Sequence, residues 1–357
     1  MMYVTAAAES AVRTTNNKNK IAVLMSGGVD SSVAALLCLR AGHDVIGITM
    51  QITEDMTPIE KAKSVCEKIG IKHFFIDLRA VFKKEVLSYF KESYENGKTP
   101  NPCVVCNEKI KFGEMFKFAK SLGADFIATG HYGKICIEEG LLFLKKSADA
   151  KKDQSYFLSR VPEEILKYTV FPLEDYNKEQ VREIAHSFDL PPKSDKDSQD
   201  ICFLIGIDYK EFLIQNCDFK IKAGNFISES GEIIGRHKGI HNYTVGQRKG
   251  LGAFGHPMIV KSISQITGDI TLCAVGNEFS ESVRIKNIKF FTVYEKFKDE
   301  YKHVKIRYSQ NEIGIFDMQF HDDICEIKFE NPQRAVTAGQ FVVCYHQNFV
   351  LFNGEIV

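Results

Sequence analysis

Two groups of residues carry side chains whose type and spacing could do chemistry. The first is Ser26-Gly27-Gly28-Val29-Asp30-Ser31-Ser32, which stops an apolar run over residues 21–25 and hands over to a helical pattern closing on Gly42. A strand that ends on glycines and opens a helix leaves unpaired N–H groups and the positive helix end facing one loop, which is the layout of an anion site. The glycines allow close backbone approach to phosphate oxygens, and the serines are expected to add hydroxyl donors. A Walker loop would need a Gly-Lys-Ser/Thr ending and a dinucleotide fingerprint a G-x-G-x-x-G spacing; both are missing. A plain strand-to-helix turn with a serine cap is the competing reading. The second group is made of thiols: Cys103 and Cys106 in "TPNPCVVCNEKIKF" (99–112) and Cys202 in "DSQDICF" (197–203). Cys106 is expected close to a helix N-terminus, where a thiolate is favoured and its pKa lowered. A lone C-x-x-C without a second ligand pair is weak support for zinc, and weak support for a thioredoxin-like redox pair.

The loop "SGGVDSS" after a buried first strand resembles the pyrophosphate-binding loop of the ATP pyrophosphatase group, whose members cleave ATP to AMP and pyrophosphate. Together with "NPCVVCN", "ATGHY", "KKDQSYFLSR", "DSQDICF", "YTVGQRKGLG", "IRY" and "AVTAGQ", in that order along the chain, it resembles the tRNA-specific 2-thiouridylase family. The resemblance implies that Leu24, Met25, Ser26, Gly27, Gly28, Val29, Asp30 and Ser31 form an ATP loop. It makes Met50 an apolar contact to the adenine and Gly130 a close-approach glycine, and Asp30 would help to hold Mg²⁺, the companion of clustered phosphates. Cys106 falls on the family's nucleophile and Cys202 on its persulfide carrier, the two ending as a catalytic disulfide. Asn101, Pro102 and Cys103 fall at the target base; His131, Lys152, Asp153, Gln154, Arg307, Tyr308 and Gln340 fall where the family touches tRNA. Many relatives have aspartate in place of Cys103, so this thiol is either a proton carrier or a small packed residue.

The activity implied is ATP-dependent 2-thiolation of the wobble uridine of tRNA, through adenylation of the carbon-2 oxygen and sulfur transfer from a cysteine persulfide. The implied partners are tRNA and a sulfur-relay protein or cysteine desulfurase. Another ATP-cleaving ligase of the same group would leave Cys106 and Cys202 idle. A non-catalytic nucleotide or tRNA-binding module would keep the loop without the chemistry.

Groups so far apart in the chain need a scaffold to bring them together. Residues 21–25, 44–50, 72–78 and 124–130 read as strands. Helical patterns at 58–70 and 79–97, and one following the loop "KTPNPCVVC", fall between them. That alternation predicts an α/β fold, an open parallel sheet with helices on both faces, of the adenine nucleotide alpha hydrolase-like kind that the resemblance implies. Beyond about residue 205, short alternating runs divided by Gly, Asn and Asp predict antiparallel strands. The expected organisation is a disordered tail over 1–19 and a catalytic domain over 20–205. A small central tRNA-binding domain over 206–279 and a β-barrel-like tRNA-binding domain over 280–357 follow.

At 357 residues the chain exceeds what a single core holds, and 44% hydrophobic with 26% charged residues is an ordinary globular balance. No stretch approaches the roughly 20 apolar residues of a membrane span, so no membrane association is expected. Ten cysteines without an export-type segment point to a reducing compartment and a cytoplasmic location. With 46 basic and 46 acidic residues there is no global field for RNA, so binding has to come from local patches. Two runs without acids are candidates: Arg236, Lys238, Arg248 and Lys249 within 236–250, and Lys302, Lys305 and Arg307 within 301–308.

Overall fold

The computed structural model describes residues 18–190, 201–300 and 302–357. Most of the expected tail and the first part of "DSQDICF" lie outside the described residues. The first half of the chain supplies β1 (Lys20–Leu24), β2 (Asp44–Gln51), β3 (Lys72–Asp77) and β4 (Phe126–Ala128), then a hairpin of β5 (Lys134–Glu138) and β6 (Leu141–Lys145), then a short β7 (Thr169–Val170). With the hairpin set aside, these pair in parallel in the order β3-β2-β1-β4-β7. Ile21, Ala22 and Val23 at the middle of β1 are fully enclosed, which is why that strand reads as a continuous apolar run. The chain builds outward from β1 through β2 to β3 and then crosses to β4 on the other side. The order therefore reverses between β1 and β4, and the crevice at their carboxyl ends is where an open α/β sheet receives ligands.

Helix α1 (Val29–Arg40) follows β1 and is buried from Ser31 to Cys38. Helix α2 (Thr57–Ile69) has a proline in its first turn and ends on Gly70 at φ 75°, the left-handed cap a glycine adopts without strain. The cysteine segment departs from expectation. It is helical from Pro102, not from after Cys106, because Asn101 caps the N-terminus by accepting from the Val104 N–H at 3.4 Å and Pro102 occupies the first turn. The helix then continues through a π-type stretch, Asn107–Glu114, to Ser121.

In the second half, β8 (Gly224–Ile227), β9 (Ile233–His237), β10 (Met258–Ile263) and β11 (Ile270–Ala274) form a small sheet in the order β10-β11-β8-β9. One pairing, β11 with β8, is parallel, so this unit is mixed where antiparallel strands were expected. The strands β12 (Phe279–Phe290), β13 (His303–Lys305), β14 (Ile313–His321), β15 (Ile324–Arg334), β16 (Phe341–His346) and β17 (Phe349–Ile356) pair antiparallel. Pairing of β12 with β17 closes them into a barrel. The hairpin of the first half is not part of the parallel sheet: β6 pairs with β17 and extends the barrel sheet. Val104 and Phe112 of the cysteine helix sit in one apolar core with Phe341, Tyr345 and Phe352 of the barrel.

That helix is fastened to the barrel by charge as well. Glu108, 7% exposed, accepts from Arg160 Nε at 2.9 Å and from Lys289 Nζ at 2.5 Å, and Arg160 also donates to the Asn287 carbonyl and to Asn353 Oδ1. Burial alone would raise the Glu108 pKa; the Arg160 charge and the Lys289 and Arg160 hydrogen bonds outweigh it and bring the group from 4.5 to about 2. Because the folded value lies below the ordinary one, the stabilisation is complete above the ordinary value and is lost as pH falls through about 2. Glu108→Gln should leave the partly enclosed Arg160 and the half-exposed Lys289 facing a neutral amide and cost about 2 kcal/mol. Thermal denaturation at neutral pH should show the lower midpoint, and the variant's stability should fall less steeply than the parent's on acidification below the ordinary glutamate value.

Candidate active site

A cleft of about 200 Å³ opens at the β1/β4 switch point. Of the residues expected at ATP, Leu24, Met25, Ser26, Asp30, Ser31, Met50 and Gly130 line it, together with Ile48, Lys111, Met115, Thr129, His131 and Gln154. Gly27, Gly28 and Val29 form the turn itself. Gly27 has φ 69°, and a Cβ there would meet Lys61 Cβ at 2.6 Å. A Cβ on Gly130 would lie 2.7 Å from Asp30 C and Ser31 N, so only glycine lets the loop after β4 close on the loop after β1. The serines do less toward a ligand than expected. Ser31 and Ser32 both donate their hydroxyls to the Gly28 carbonyl, at 3.0 and 2.8 Å, and Ser26 Oγ accepts from the Gly28 N–H at 3.3 Å. They hold the shape of the loop, which leaves backbone N–H groups at the start of α1 for an anion. Leu24, Ile48, Met50 and Met115 supply apolar wall suited to a flat heterocycle.

Asp30 lies at the mouth of α1, but its carboxylate is already engaged. Lys178 Nζ donates to both oxygens at 2.7 and 2.8 Å, and the Tyr132 hydroxyl donates to Oδ1 at 2.9 Å. No group of three or more His, Cys, Asp or Glu side chains fit to hold a metal occurs among the described residues. The Asp30 carboxylate is thus spent on Lys178 and Tyr132 within the chain, and among the described residues Cys103 and Cys106 belong to no such group. Lys178 does the work of a fixed cation at this end of the loop.

The thiols gather beside the cleft. Cys106 is buried, Cys103 is partly exposed and Cys202 is exposed; all are free thiols. Cys202 is placed by its neighbour Phe203, whose ring sits edge-on to Phe82 and Phe90, 5.6 and 5.3 Å between centroids, within the core that also encloses Cys106. Burial pushes the Cys106 pKa up to about 12, opposite to the lowering expected at a helix start, because the helix begins at Pro102 and Cys106 is a full turn inside it. Cys103 and Cys202 are also raised, first by lost hydration, which for Cys202 acts on a sulfur closely surrounded although its surface is open. One charge opposes this at all three sulfurs: the ammonium of Lys111. Cys202 and Cys103 in turn both act on Cys106.

Comparison with known proteins bears on what this cleft serves. Residues 19–206 match the tRNA methyl transferase HUP domain, 210–274 the tRNA methyl transferase PRC-barrel domain and 280–356 the aminomethyltransferase beta-barrel domain. The chain is 40% identical to the tRNA-specific 2-thiouridylase MnmA of Clostridium acetobutylicum over 94% of its own length and 99% of that protein. It is also 40% identical to the enzyme of that name from Clostridioides difficile, over 94% and 98%. The chain belongs to the tRNA-specific 2-thiouridylase family. Among solved structures, NMN synthetase from Francisella tularensis is similar at 15% identity and a TM-score of 0.34, covering 61% of this chain and 84% of that one.

The residues expected at tRNA in a 2-thiouridylase divide into three groups here. His131 and Gln154 line the β1/β4 cleft. An ammonium can only donate, so Lys111 Nζ, 3.3 Å from His131 Nε2, leaves the imidazole proton on Nδ1, where it meets Thr129 Oγ1 at 2.8 Å. Burial and then the Lys111 charge hold His131 well below the ordinary histidine value, consistent with that neutral tautomer. A second group turns inward, contrary to expectation. Asp153 is 5% exposed, its carboxylate accepting from the Ser147 and Ser155 N–H groups and the Ser155 hydroxyl. Arg307 donates to the carbonyls of Val245 and Ala335 and to Thr337 Oγ1. Gln340 donates to the carbonyls of Thr99 and Pro100, at 2.8 and 3.3 Å, just ahead of the cysteine helix. Asp153 is buried and Arg307 and Gln340 are half-buried, and all three bond within the chain, although Arg307 Nε is buried without a partner among the described residues. Lys152 and Tyr308 keep part of their surface exposed, Tyr308 with its ring 4.3 Å from that of Phe157.

Sequence reasoning missed Lys111, Tyr132 and Lys178. A lysine bracketed by the buried Ile110 and Phe112 is a usable signal; Lys178, 148 residues from Asp30, has none. Lys111→Met should move the alkylation profile of Cys202 and Cys103 to higher pH and slow their reaction with iodoacetamide several-fold at neutral pH. Lys111→Arg should restore most of it, as read by mass spectrometry of the labelled peptides.

Proposed function

We propose that this 2-thiouridylase activates and thiolates the wobble uridine of tRNA in one continuous site, with ATP bound at the β1/β4 cleft and the sulfur carried by the thiols around Lys111. The observation that carries the reading is that Lys111 lines the nucleotide cleft and also acts on Cys103, Cys106 and Cys202. The uridine carbon-2 oxygen attacks the α-phosphorus and pyrophosphate leaves, its charge met by the N–H groups at the start of α1. A carbonyl oxygen is a poor leaving group and AMP a good one, so the adenylate is what makes displacement feasible. Magnesium, where it takes part, comes with the phosphates; Lys178 and Asp30 shape the loop around them.

Cys202, the exposed thiol, accepts sulfur from a relay protein or cysteine desulfurase as a persulfide. Its terminal sulfur attacks carbon 2 and expels AMP. The Cys106 thiolate then attacks the Cys202 sulfur, the bond to the transferred sulfur breaks with its electron pair staying on the new thiocarbonyl, and a Cys106–Cys202 disulfide forms. A Cys106 pKa of about 12 keeps it protonated at neutral pH, so its proton leaves only during this step, next to Lys111. Asn101, Pro102 and Cys103, at the start of the cysteine helix, border the target base. A dithiol reductant closes the cycle, in keeping with ten free cysteines and a reducing, cytoplasmic setting.

Residues 206–279 and 280–357 hold the body of the tRNA. Arg236, Lys238, Arg248 and Lys249 are exposed and suit phosphate contacts. The run at 301–308 suits them less, because Lys302 is buried with its ammonium on the carbonyls of Lys298 and Glu300.

Cys106→Ser and Cys202→Ser should each abolish 2-thiouridine, measured by nucleoside mass spectrometry after incubation with ATP and a persulfide donor, while ATP binding stays near that of the parent. Full activity in either variant sinks the sulfur relay, and pyrophosphate release that does not depend on tRNA returns the chain to another ligase chemistry. Replacing Arg248 and Lys249 by alanine should weaken tRNA binding and reduce the slope of log K against log salt by about 1 to 2. An unchanged slope assigns those side chains to solvent.

A further inference from the structure

The proposed reaction ends with Cys106 tied to Cys202, and the two partners differ in access: Cys202 is exposed, whereas Cys106 is 6% exposed. A third thiol stands between these extremes. Cys103 is partly exposed, in the first turn of the same helix and three residues before Cys106. Residues three apart share a helix face. Helix geometry puts their α-carbons about 5 Å apart, inside the roughly 4.4–6.8 Å that a disulfide bridges. Phe203, fixed among Phe82, Phe90 and Phe212, keeps the Cys202 segment on the core that holds Cys106.

We propose that Cys103 is a resolving thiol: it attacks the sulfur of Cys106 in the Cys106–Cys202 disulfide, forming a Cys103–Cys106 disulfide and releasing Cys202. The inference rests on the sulfur relay proposed above. One S–S bond forms as another breaks, and the Cys103 proton passes to the departing Cys202 sulfur. The exchange consumes neither oxidant nor reductant. A thioredoxin-type protein dithiol then reduces the Cys103–Cys106 bond by two electrons and restores both thiols. One feature of the site favours this route: the exchange is intramolecular, with the high effective concentration that implies. It also frees the exposed thiol to accept the next persulfide before reduction is complete. Lys111 supplies the one charge found to favour a thiolate at Cys103 against the cost of its burial.

The test is a disulfide map of the full chain after one turnover with tRNA, ATP and persulfide-loaded Cys202, without reductant, quenched in acid and alkylated. The expected bond is Cys103–Cys106 with Cys202 alkylated. Cys103→Ala, and Cys103→Ser as a variant of nearly unchanged volume, should instead trap Cys106–Cys202. With a thioredoxin-type reductant both should show an initial burst and then a steady rate lower by about tenfold or more. A parent enzyme that holds only Cys106–Cys202 or Cys103–Cys202, or makes 2-thiouridine with no disulfide, overturns the inference and leaves thiolation standing. Recovery of the steady rate by Cys103→Asp also overturns it, since a carboxylate can carry a proton but cannot exchange a disulfide. If the parent makes no 2-thiouridine at all, the relay itself fails and the inference with it.

Discussion

The helix over residues 102–121 belongs to two cores at once, and most of the molecule is arranged around that fact. Val104 and Phe112 are packed with the C-terminal barrel, while Cys106, Ile110 and Met115 are packed with the parallel sheet and with Phe203. Lys109, Lys117 and Lys120 take its open side to water, but a polar residue on either packed face cannot reach it and needs a partner. Asn107 donates to the Phe157 carbonyl, and Glu108 is met by Arg160 and Lys289. The same enclosure raises the thiol pKa values that a helix start would otherwise lower. Placement and reactivity of the cysteines are therefore set by one packing arrangement, and the barrel is a structural part of the site although it contributes no residue to the cleft.

The approach to that helix is clamped in the same way. Gln340 and the Tyr89 hydroxyl meet the backbone of residues 99–101 and Gly339, and a Cβ on Gly339 would lie 2.9 Å from Lys98 Cβ. Arg307 ties the barrel to Val245, in a turn packed against the core of the small mixed sheet. Side chains that look ready for phosphate in a sequence are thus spent on holding three units in register. An arginine offers several donors in a rigid fork, which suits several backbone carbonyls as well as it suits a phosphate.

What was legible in the sequence was what depends on local pattern. The enclosed β1, the glycine turn after it and the alternation of strands with helices follow from periodicity and capping, and the parallel sheet follows from them, whereas the strand order that makes the switch point does not. The start of the cysteine helix was misplaced because "NPC" reads as a loop, although Asn101 followed by Pro102 is also a cap followed by a first turn. The attachment of the β5–β6 hairpin to the barrel and the Lys178–Asp30 pair could not be read at all. Both are long-range pairings, and nothing in a local window distinguishes a lysine that will meet an aspartate 148 residues away from one that faces solvent.

The raised thiol pKa values bear on timing. A thiolate standing ready beside a persulfide would attack it before any uridine was activated, and the sulfur would be lost as hydrosulfide with the enzyme oxidised. Burial keeps Cys106 protonated, to about 12, so the early attack is suppressed at neutral pH. Lys111 reaches both the β1/β4 cleft and the sulfurs, and it bonds to a neutral His131. In the relay proposed above, the burial of Cys106 therefore has a use: sulfur stays on Cys202 until the group that is to receive it has been activated.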